Sequence, residues 1–155
     1  MASVSGSNGA TFSGIGPDLV ITDVNDITEL RKLFEKFQID FIFHAAAYKH
    51  VPSMEQNPVQ AIKVNVLGTR NLADLADSYK VESMVMVSTD KAVNPTNIMG
   101  ATKRAAEMYV QSKNQHSTTS FITTRFGNVL DSNGSVIPLF KKQIAAGGPV
   151  TVTHQ

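Results

Sequence analysis

The sequence predicts an α/β protein built on a parallel sheet, because strand-like and helix-like segments alternate along most of its 155 residues. Two apolar runs of strand length, DFIFHAAA at 40–47 and SMVMVS at 83–88, are typical of strands covered on both faces. Between them, apolar residues recur every three or four positions, as they do in amphipathic helices. Parallel strands joined through helices favour right-handed crossovers.

The predicted elements begin after an N-terminal segment of low complexity. Residues 1–16 are small and polar, and their Gly- and Ser-rich composition predicts a flexible lead or a cloning scar. The folded domain is expected to occupy residues 17–155. DLVITDV at 18–24 predicts a first strand, and Asp26 predicts the cap of the helix that follows it. The apolar face of that helix comprises Leu30, Leu33, Phe34 and Phe37.

Further helices and strands follow in the same alternation. Pro58 can open a long helix, since proline is favoured at the first helical position. Residues 95–113 predict another helix, and SFITTRF at 120–126 predicts a fourth strand. Residues 135–146 predict a short helix that ends at a Gly-Gly-Pro sequence. The predicted apolar face of the long helix comprises Ile62, Val66, Leu72, Leu75, Ala76 and Tyr79.

Composition excludes several classes of protein. The net charge is +1, so no strong field would draw the chain to nucleic acid or to a membrane surface. Cysteine is absent, which removes disulfides, thiolate nucleophiles and cysteine–zinc sites. The four histidines lack metal-ligand spacing, and no apolar run reaches the roughly 18 residues of a membrane span. The sequence therefore predicts a soluble, cytoplasmic protein without a metal.

Residues able to do chemistry follow the predicted strands, and in parallel sheets ligands bind beyond the carboxyl ends of the strands. SMVMVS runs directly into Thr89, Asp90 and Lys91. This succession of hydroxyl, carboxylate and amine can orient a substrate oxygen, donate a proton and accept one. The alternative is a solvated turn with an Asp–Lys surface pair, which would contribute little stability.

Two other segments carry weaker signals. Met99 and Lys103 lie one helical turn apart and share a face, although such residues are more often core filler and solvated surface. Ala45–Ala47 follow a strand, where small side chains let a flat ligand approach the backbone, but tight helix packing also favours alanine. A glycine-rich phosphate loop is missing, since Gly14-x-Gly16 has neither a strand before it nor a helix after it.

Taken together, these segments resemble the extended short-chain dehydrogenase/reductase superfamily. Within it they resemble the capsular-polysaccharide-type UDP-N-acetylglucosamine 4,6-dehydratases, over about residues 17–155. The likeness rests on TDVNDITEL, FHAAAYKHVPSMEQNPVQAIKVNVLGTRNL, MVMVSTDKAVNPTNIMGATKRAAE and TTRFGNVLDSNGSVIPLFKKQIAAGGPVTVTH. It implies an NAD-binding, Rossmann-like, doubly wound parallel sheet that lacks the first two strands of the family.

The resemblance also implies a reaction. In the family, a bound NAD takes hydride from C4 of the sugar, water is lost across C5 and C6, and the hydride returns at C6. Thr89 would hydrogen-bond the C4 oxygen, Asp90 would protonate the departing C6 hydroxyl, and Lys91 would remove the C5 proton. Lys103 would hold the nicotinamide ribose. The product would be a 4-keto-6-deoxy UDP-sugar used in surface polysaccharide biosynthesis.

Binding residues are implied by the same resemblance. The residues assigned to the cofactor are Asp23 and Val24 at the adenine, Ala45, Ala46 and Ala47 along it, and Asn65 in support. The residues assigned to the UDP-sugar are Lys49, His50, Asn128, Ser135, Val150, Thr151 and Val152. The helix at 95–113 would be available as the interface of a homo-oligomer.

Two departures from the family pattern bear on activity. Met99 replaces the usual Tyr base, as in a Met-bearing subgroup, and because a thioether cannot exchange a proton, Thr89 with Asp90 would handle the C4 proton. The family's first strand, glycine loop and second strand have no counterpart upstream of Asp18. We therefore expect a central fragment that exposes one edge of the DFIFHAAA strand, binds NAD weakly or not at all, and does not turn over by itself.

Two other functions stay open. An NAD-dependent nucleotide-sugar epimerase would have the same fold, but epimerases rely on the absent Tyr and lack the Asp–Lys pair. A non-catalytic, truncated α/β module would have the fold without the chemistry. Asp90 and Lys91 together with Met99 favour dehydration over epimerisation.

Overall fold

A computed structural model describes part of the chain in detail, namely residues 2–5, 20–127 and 136–150. The chain divides into two compact units, residues 1–125 and 126–155. In the second unit, helix α6 spans Val136–Ala145, within the range predicted for it. Gly147 and Gly148 follow with φ angles of 89° and 77°, a conformation that glycine adopts without steric cost and that ends the helix as predicted.

The sheet confirms the predicted parallel α/β architecture. Its strands are adjacent in chain order and comprise β1 (Ala2–Ser5), β2 (Phe41–His44), β3 (Ser83–Thr89) and β4 (Ser120–Phe126). β2 and β3 are parallel, with Phe41 opposite Ser83 and His44 opposite Met86. β1 runs antiparallel to β2, so the edge of β2 that we expected to be open is paired with residues from the 1–16 segment.

The segment predicted as a first strand is not a strand where the structure describes it. Residues 20–23 are irregular and 24–25 form a turn. The Asp23 carboxylate accepts from the Asn25 backbone N–H at 2.9 Å, and the Val24 carbonyl accepts from the Asn71 side chain at 3.1 Å. The described residues offer this segment no neighbouring strand, so side chains satisfy its backbone instead.

Helix α1 (Ile27–Lys36) begins where the sequence predicted. The Asp26 carboxylate caps it by accepting from the backbone N–H groups of Thr28 at 3.1 Å and Glu29 at 3.0 Å. Leu30 and Phe34 are buried, as their spacing predicted. This face packs into the main hydrophobic core.

The long predicted helix is interrupted. It consists of α3 (Pro58–Ala61), a π-helical segment (Ile62–Gly68) and α4 (Thr69–Ser78), and it is preceded by the short α2 (Val51–Gln56). After the π segment the predicted face is buried at Leu72, Leu75 and Ala76, whereas Ile62 within the segment is exposed, as is Tyr79 at the end of α4. A π segment has more residues per turn, so it rotates the positions before it relative to those after it.

Helix α5 (Ile98–Asn114) is capped by Asn97, whose side chain accepts from the Gly100 N–H at 2.8 Å. The main core lies between one face of the sheet and helices α1, α4 and α5. The expectation that β2 is covered on both faces is wrong, because Ile42 is buried while Phe43 is 50% exposed. The connections from β2 to β3 and from β3 to β4 advance in the same direction along the sheet. Because such crossovers are right-handed, α4 and α5 lie on the same face.

Candidate functional site

The acid–base turn, defined as Thr89, Asp90 and Lys91, lies at the carboxyl end of β3 in a single 3₁₀ turn (Asp90–Ala92). The Thr89 hydroxyl donates to Asp90 Oδ1 at 2.9 Å, and the Lys91 ammonium donates to the same oxygen at 3.1 Å. The Lys91 backbone N–H also donates to Asp90 Oδ1 at 2.9 Å. The sequence predicted these three groups together, and the structure places them in one hydrogen-bonded cluster.

The acid–base turn faces solvent, since the Asp90 side chain is 56% exposed. The hydrogen bond from Thr89, followed by the contacts with Lys91, lowers the pKa of Asp90 below its ordinary value. Asp90 is therefore a carboxylate near neutral pH in this arrangement. Acting as an acid requires that something change its hydrogen bonds or its solvation.

Gly100 allows α5 to approach the acid–base turn closely. A Cβ at this position would lie 2.4 Å from the Lys91 carbonyl oxygen, a distance that side chains do not tolerate. Any larger residue would push the helix away from the turn. Sequence reasoning treated Gly100 only as part of a motif, and its role follows from the tertiary contact.

Lys103 and Met99 lie on the inner face of α5, one turn apart as predicted. Lys103 is only 5% exposed, and burial lowers its pKa to about 8, against an opposing contribution from Glu107. Met99 is also buried, in a small apolar cluster with Met54 and Ala61. The thioether thus packs against α2 and α3, which makes it a core side chain in this structure.

Asn65, in the π segment, connects the loop after β2 to α5. Its side-chain oxygen accepts from the Tyr48 N–H at 2.9 Å, and its side-chain nitrogen donates to the Tyr48 carbonyl at 3.2 Å. The same nitrogen donates to the Thr102 hydroxyl at 3.0 Å. Asn65 is fully buried, so it is a structural clamp at the edge where the predicted cofactor residues Ala45–Ala47 lie.

His44, at the end of β2, is a buried residue that sequence reasoning considered only as a metal ligand. Its Nε2 lies 2.8 Å from the Thr69 hydroxyl, which donates its own proton to the Asn65 carbonyl at 2.7 Å. Nε2 must therefore be the protonated nitrogen. Burial, followed by the charge of Lys103, lowers the pKa of His44 to about 3, so the ring is neutral.

Glu107 and two arginines form a second group that sequence reasoning missed. Glu107 is fully buried on α5, and Arg125 on β4 binds it as a fork, with Nε donating to Oε1 at 2.9 Å and Nη2 to Oε2 at 2.6 Å. Arg104 donates to Oε2 at 3.2 Å. Burial opposes ionisation, but these arginines hold the pKa of Glu107 at about 2. The sequence does give one indication of this group. Glu107 is a charged residue among apolar ones, Ala106 and Val110, on the face of α5 that packs inward.

The remaining predicted site residues are placed as follows. Val24 is buried against Gly68, where a side chain in place of glycine would put its Cβ 2.6 Å from Val24 Cγ2. Asp23 is exposed, directly before the turn at 24–25. Ala45 is exposed, and Ala46 and Ala47 are half-buried. Of the residues assigned to the UDP-sugar, three are exposed, namely Lys49, His50 and Val150. Those that lie outside the described residues are Asn128, Ser135, Thr151 and Val152.

The described residues contain neither a metal-binding cluster nor a membrane-spanning helix. Within 2–5, 20–127 and 136–150, no group of three or more His, Asp or Glu side chains is placed to hold a metal ion. In the same part of the chain, no helix is both long enough and apolar enough to cross a bilayer.

Residues 12–155 match the model of a family described as polysaccharide biosynthesis protein. The chain is 59% identical over 136 residues to the capsular polysaccharide biosynthesis protein CapD of Staphylococcus aureus, an alignment that covers 87% of this chain and 23% of CapD. The predicted resemblance to the capsular-polysaccharide type is thereby confirmed.

Two relatives with enzyme names are less similar to the chain than CapD is, and the two are equally similar to it by identity. The UDP-N-acetylglucosamine 4,6-dehydratase (inverting) of Campylobacter jejuni is 42% identical over 138 residues, which are 84% of this chain and 41% of the relative. The UDP-glucose 4-epimerase of Rickettsia canadensis is 42% identical over 135 residues, which are 84% of this chain and 40% of the relative. The chain therefore spans less than half the length of these relatives.

Solved structures confirm the Rossmann-like α/β fold, of which the described residues hold helices α1, α4 and α5 on one face of the sheet. The X-ray structure of Pen from Bacillus thuringiensis matches with a TM-score of 0.77 and 41% sequence identity. The match covers 87% of this chain and 43% of Pen.

Proposed function

The chain belongs to the polysaccharide biosynthesis protein family, and from that premise we propose that it performs the acid–base steps of an NAD-dependent nucleotide-sugar 4,6-dehydration. The substrate would be UDP-N-acetylglucosamine, and the product a 4-keto-6-deoxy UDP-sugar used in a surface polysaccharide. The observation that supports the proposal is the acid–base turn, in which one carboxylate oxygen is shared by a hydroxyl and an ammonium.

The pair formed by Asp90 and Lys91 would reach its reactive state as C4 is oxidised. The proton of the C4 hydroxyl would pass through Thr89 to Asp90 Oδ1 as hydride leaves C4, which gives the neutral acid. The Lys91 ammonium, whose carboxylate partner is then neutralised, would lose its proton to solvent and become the neutral amine. In water the charged pair is favoured, but a bound sugar would exclude water and so favour the neutral pair. The low pKa of Asp90 in the open turn is therefore compatible with its proposed role.

Elimination of water then balances within the turn. The C5–H bond breaks and its proton goes to the Lys91 amine, while the C6–O bond breaks and the hydroxyl leaves as water with the Asp90 proton. Thr89 would donate to the C4 oxygen of the sugar. Because that hydroxyl now donates to Asp90 at 2.9 Å, its transfer to the sugar would also raise the pKa of Asp90.

The residues around the turn fit a nicotinamide cofactor. Lys103 has a buried ammonium at the proposed ribose position, and the exposed Ala45 leaves the backbone after β2 open to a flat ligand. NAD, when bound, supplies the acceptor and donor of the C4 hydride. Asn65 would act through the loop that it holds, by fixing the Tyr48 backbone next to that surface.

Epimerisation is the second candidate, since one of the relatives reported above is named as an epimerase. Both reactions oxidise C4 and need a group that takes the C4 hydroxyl proton; Met99 is packed in an apolar cluster and offers no such base, so this role falls to Thr89 with Asp90 in either case. Only dehydration also needs an acid for C6 and a base for C5. The turn formed by Thr89, Asp90 and Lys91 has the additional groups that dehydration needs, which is why we favour dehydration.

Product analysis tests the proposal. The chain is incubated with UDP-N-acetylglucosamine and a large excess of NAD, which compensates for the weak binding expected from the sequence, and the sugar is followed by ¹H NMR. The chain is not expected to turn over at ordinary NAD concentrations, so we expect slow formation of a 4-keto-6-deoxy sugar only at this excess of NAD. We expect Asp90→Asn to lower the rate of formation by about 100-fold or more. The matched control is Lys32→Gln, which removes an exposed Lys–Glu pair on α1.

The possible products separate the candidate functions. A sugar inverted at C4 with its 6-hydroxyl retained would indicate an epimerase, and unchanged sugar would favour a non-catalytic module. Full dehydratase activity in Asp90→Asn would contradict the role of the acid–base turn. Cytoplasmic location and a homo-oligomer interface on the 95–113 helix stay predictions from the sequence.

A further inference from the structure

The inner face of α5 carries two charged side chains that are both withdrawn from solvent. Lys103 and Glu107 are four residues apart, so they lie on the same side of the helix, one turn from each other. Lys103 is 5% exposed and Glu107 is not exposed at all. Placing an ammonium and a carboxylate in such a position is costly unless each is compensated.

Glu107 has its compensation from outside the pair. Both of its oxygens are occupied by the fork of Arg125, and Oε2 also accepts from Arg104. The carboxylate is therefore fixed in place and ionised independently of Lys103. One carboxylate thus stands among three cations, and its field acts on the least exposed of them.

Other charged groups lie on the elements packed against α5, and they do not replace Glu107. They are Glu55, Lys63, Arg70, Asp74, Asp77, Asp90, Lys91 and Arg125, of which Lys63 and Arg70 are exposed. The carboxylates among them are bonded elsewhere, Glu55 to the Ile98 N–H, Asp90 to Lys91, and the two on α4 to Lys113. His44, on β2, is neutral.

We propose that Glu107 is a positioning residue whose carboxylate, held by Arg104 and Arg125, keeps the buried Lys103 ammonium charged for its ligand. The importance of that charge rests on the proposed function, in which Lys103 holds the nicotinamide ribose. The electrostatic relation between the side chains does not depend on it. The same geometry explains why a glutamate lies on the buried face of α5 beside Ala106 and Val110.

The proposal predicts that two substitutions beside Lys103 shift its pKa in opposite directions. Glu107→Gln removes the negative charge and leaves two guanidinium groups near Lys103, so the pKa of Lys103 should fall by about one pH unit or more. Arg104→Gln removes one of those cations and leaves Glu107 ionised through Arg125, so the pKa of Lys103 should rise. A change that only loosened the packing would move both variants in the same direction.

The measurement is an NMR titration of the lysine ¹³Cε resonances in the full chain, with the Lys103 signal assigned by its loss in Lys103→Met. Glu107→Asp, which keeps the charge, is the control and should retain more of the wild-type pKa than Glu107→Gln does. Shifts in the same direction for Glu107→Gln and Arg104→Gln, or no shift in either, would overturn the proposal.

Two features keep the test decisive. If Glu107→Gln does not fold, Arg104→Gln decides alone. Arg104→Gln should fold, because Arg104 is 38% exposed and makes a single 3.2 Å bond to Glu107. A Lys103 pKa that fails to rise in this variant contradicts the proposal. The titration needs neither NAD nor sugar. Absence of dehydratase product would therefore count against the proposed function without affecting this result.

Discussion

The acid–base turn and the buried polar layer beneath α5 are built in opposite ways. The turn consists of three consecutive residues, faces solvent, and is held by contacts within the turn itself. The buried polar layer draws its side chains from several distant elements and is closed to solvent. Its members are His44, Asn65, Thr69, Thr102, Lys103 and Glu107.

The difference separates chemistry from support. Exposed ion pairs contribute little to stability, so the turn can be changed without loss of the fold. A buried polar group that loses its partner keeps its full desolvation cost. A substitution in the layer is therefore expected to destabilise the fold. We therefore expect substitutions in the layer, apart from Lys103 at the proposed ribose position, to act on stability and substitutions in the turn to act on activity.

Acidification should have the largest effect, and it acts through His44 in the layer. The pKa of His44 is lowered from 6.5 to about 3 in the fold, so between these values the unfolded chain binds a proton that the folded chain does not. Stability is therefore complete above pH 6.5 and is lost as the pH falls toward 3. By pH 4 the loss from this group should be about 3 kcal/mol.

Urea unfolding at pH 7 and pH 4 measures this loss. We expect the difference between the two pH values to shrink in His44→Asn and to remain in His50→Gln, which changes an exposed histidine outside the layer. An unchanged difference in His44→Asn would show that other groups carry the acid sensitivity, and the comparison between layer and turn would lose its electrostatic basis.

Asn65→Ala should follow, with a loss of about 2 kcal/mol, because it leaves the Tyr48 backbone groups and the Thr102 hydroxyl without their partner. Hydrogen exchange at the Tyr48 amide should rise more than at β3 amides, because the loop would be released locally. The control is Asn57→Ala, whose side chain makes an exposed bond to the Ser53 carbonyl. Equal losses in the two variants would contradict a special role of the layer.

The smallest effect on stability is expected in the turn. Asp90→Asn removes a mostly exposed pair and should change the free energy of unfolding by less than about 1 kcal/mol. The same substitution is expected to abolish most of the proposed activity. A large loss of stability in Asp90→Asn would show that the turn supports the fold. The proposed difference between the turn and the buried polar layer would then be wrong.

Much of the fold could be predicted from local patterns. β3, β4, α1, α5 and α6 were predicted because apolar spacing, caps and Gly-Gly-Pro act over a few residues. The strand predicted at 18–24 is absent over its described residues 20–24, and the two-sided burial of β2 was predicted wrongly. Both depend on what lies beside them in the sheet. The π segment was missed for a related reason, since periodicity assumes a constant number of residues per turn.

By itself, the sequence determined the alternation of elements, the family and the acid–base turn, because neighbours in the chain are neighbours in space there. The tertiary structure alone decided that Met99 packs in a core, that Gly100 admits the Lys91 carbonyl, and that Glu107 meets Arg125 across 18 positions. Partners separated by that distance become readable only after the chain has brought α5 onto the sheet. Burial then makes their charges interact strongly, and burial is a property of the packed elements rather than of any segment.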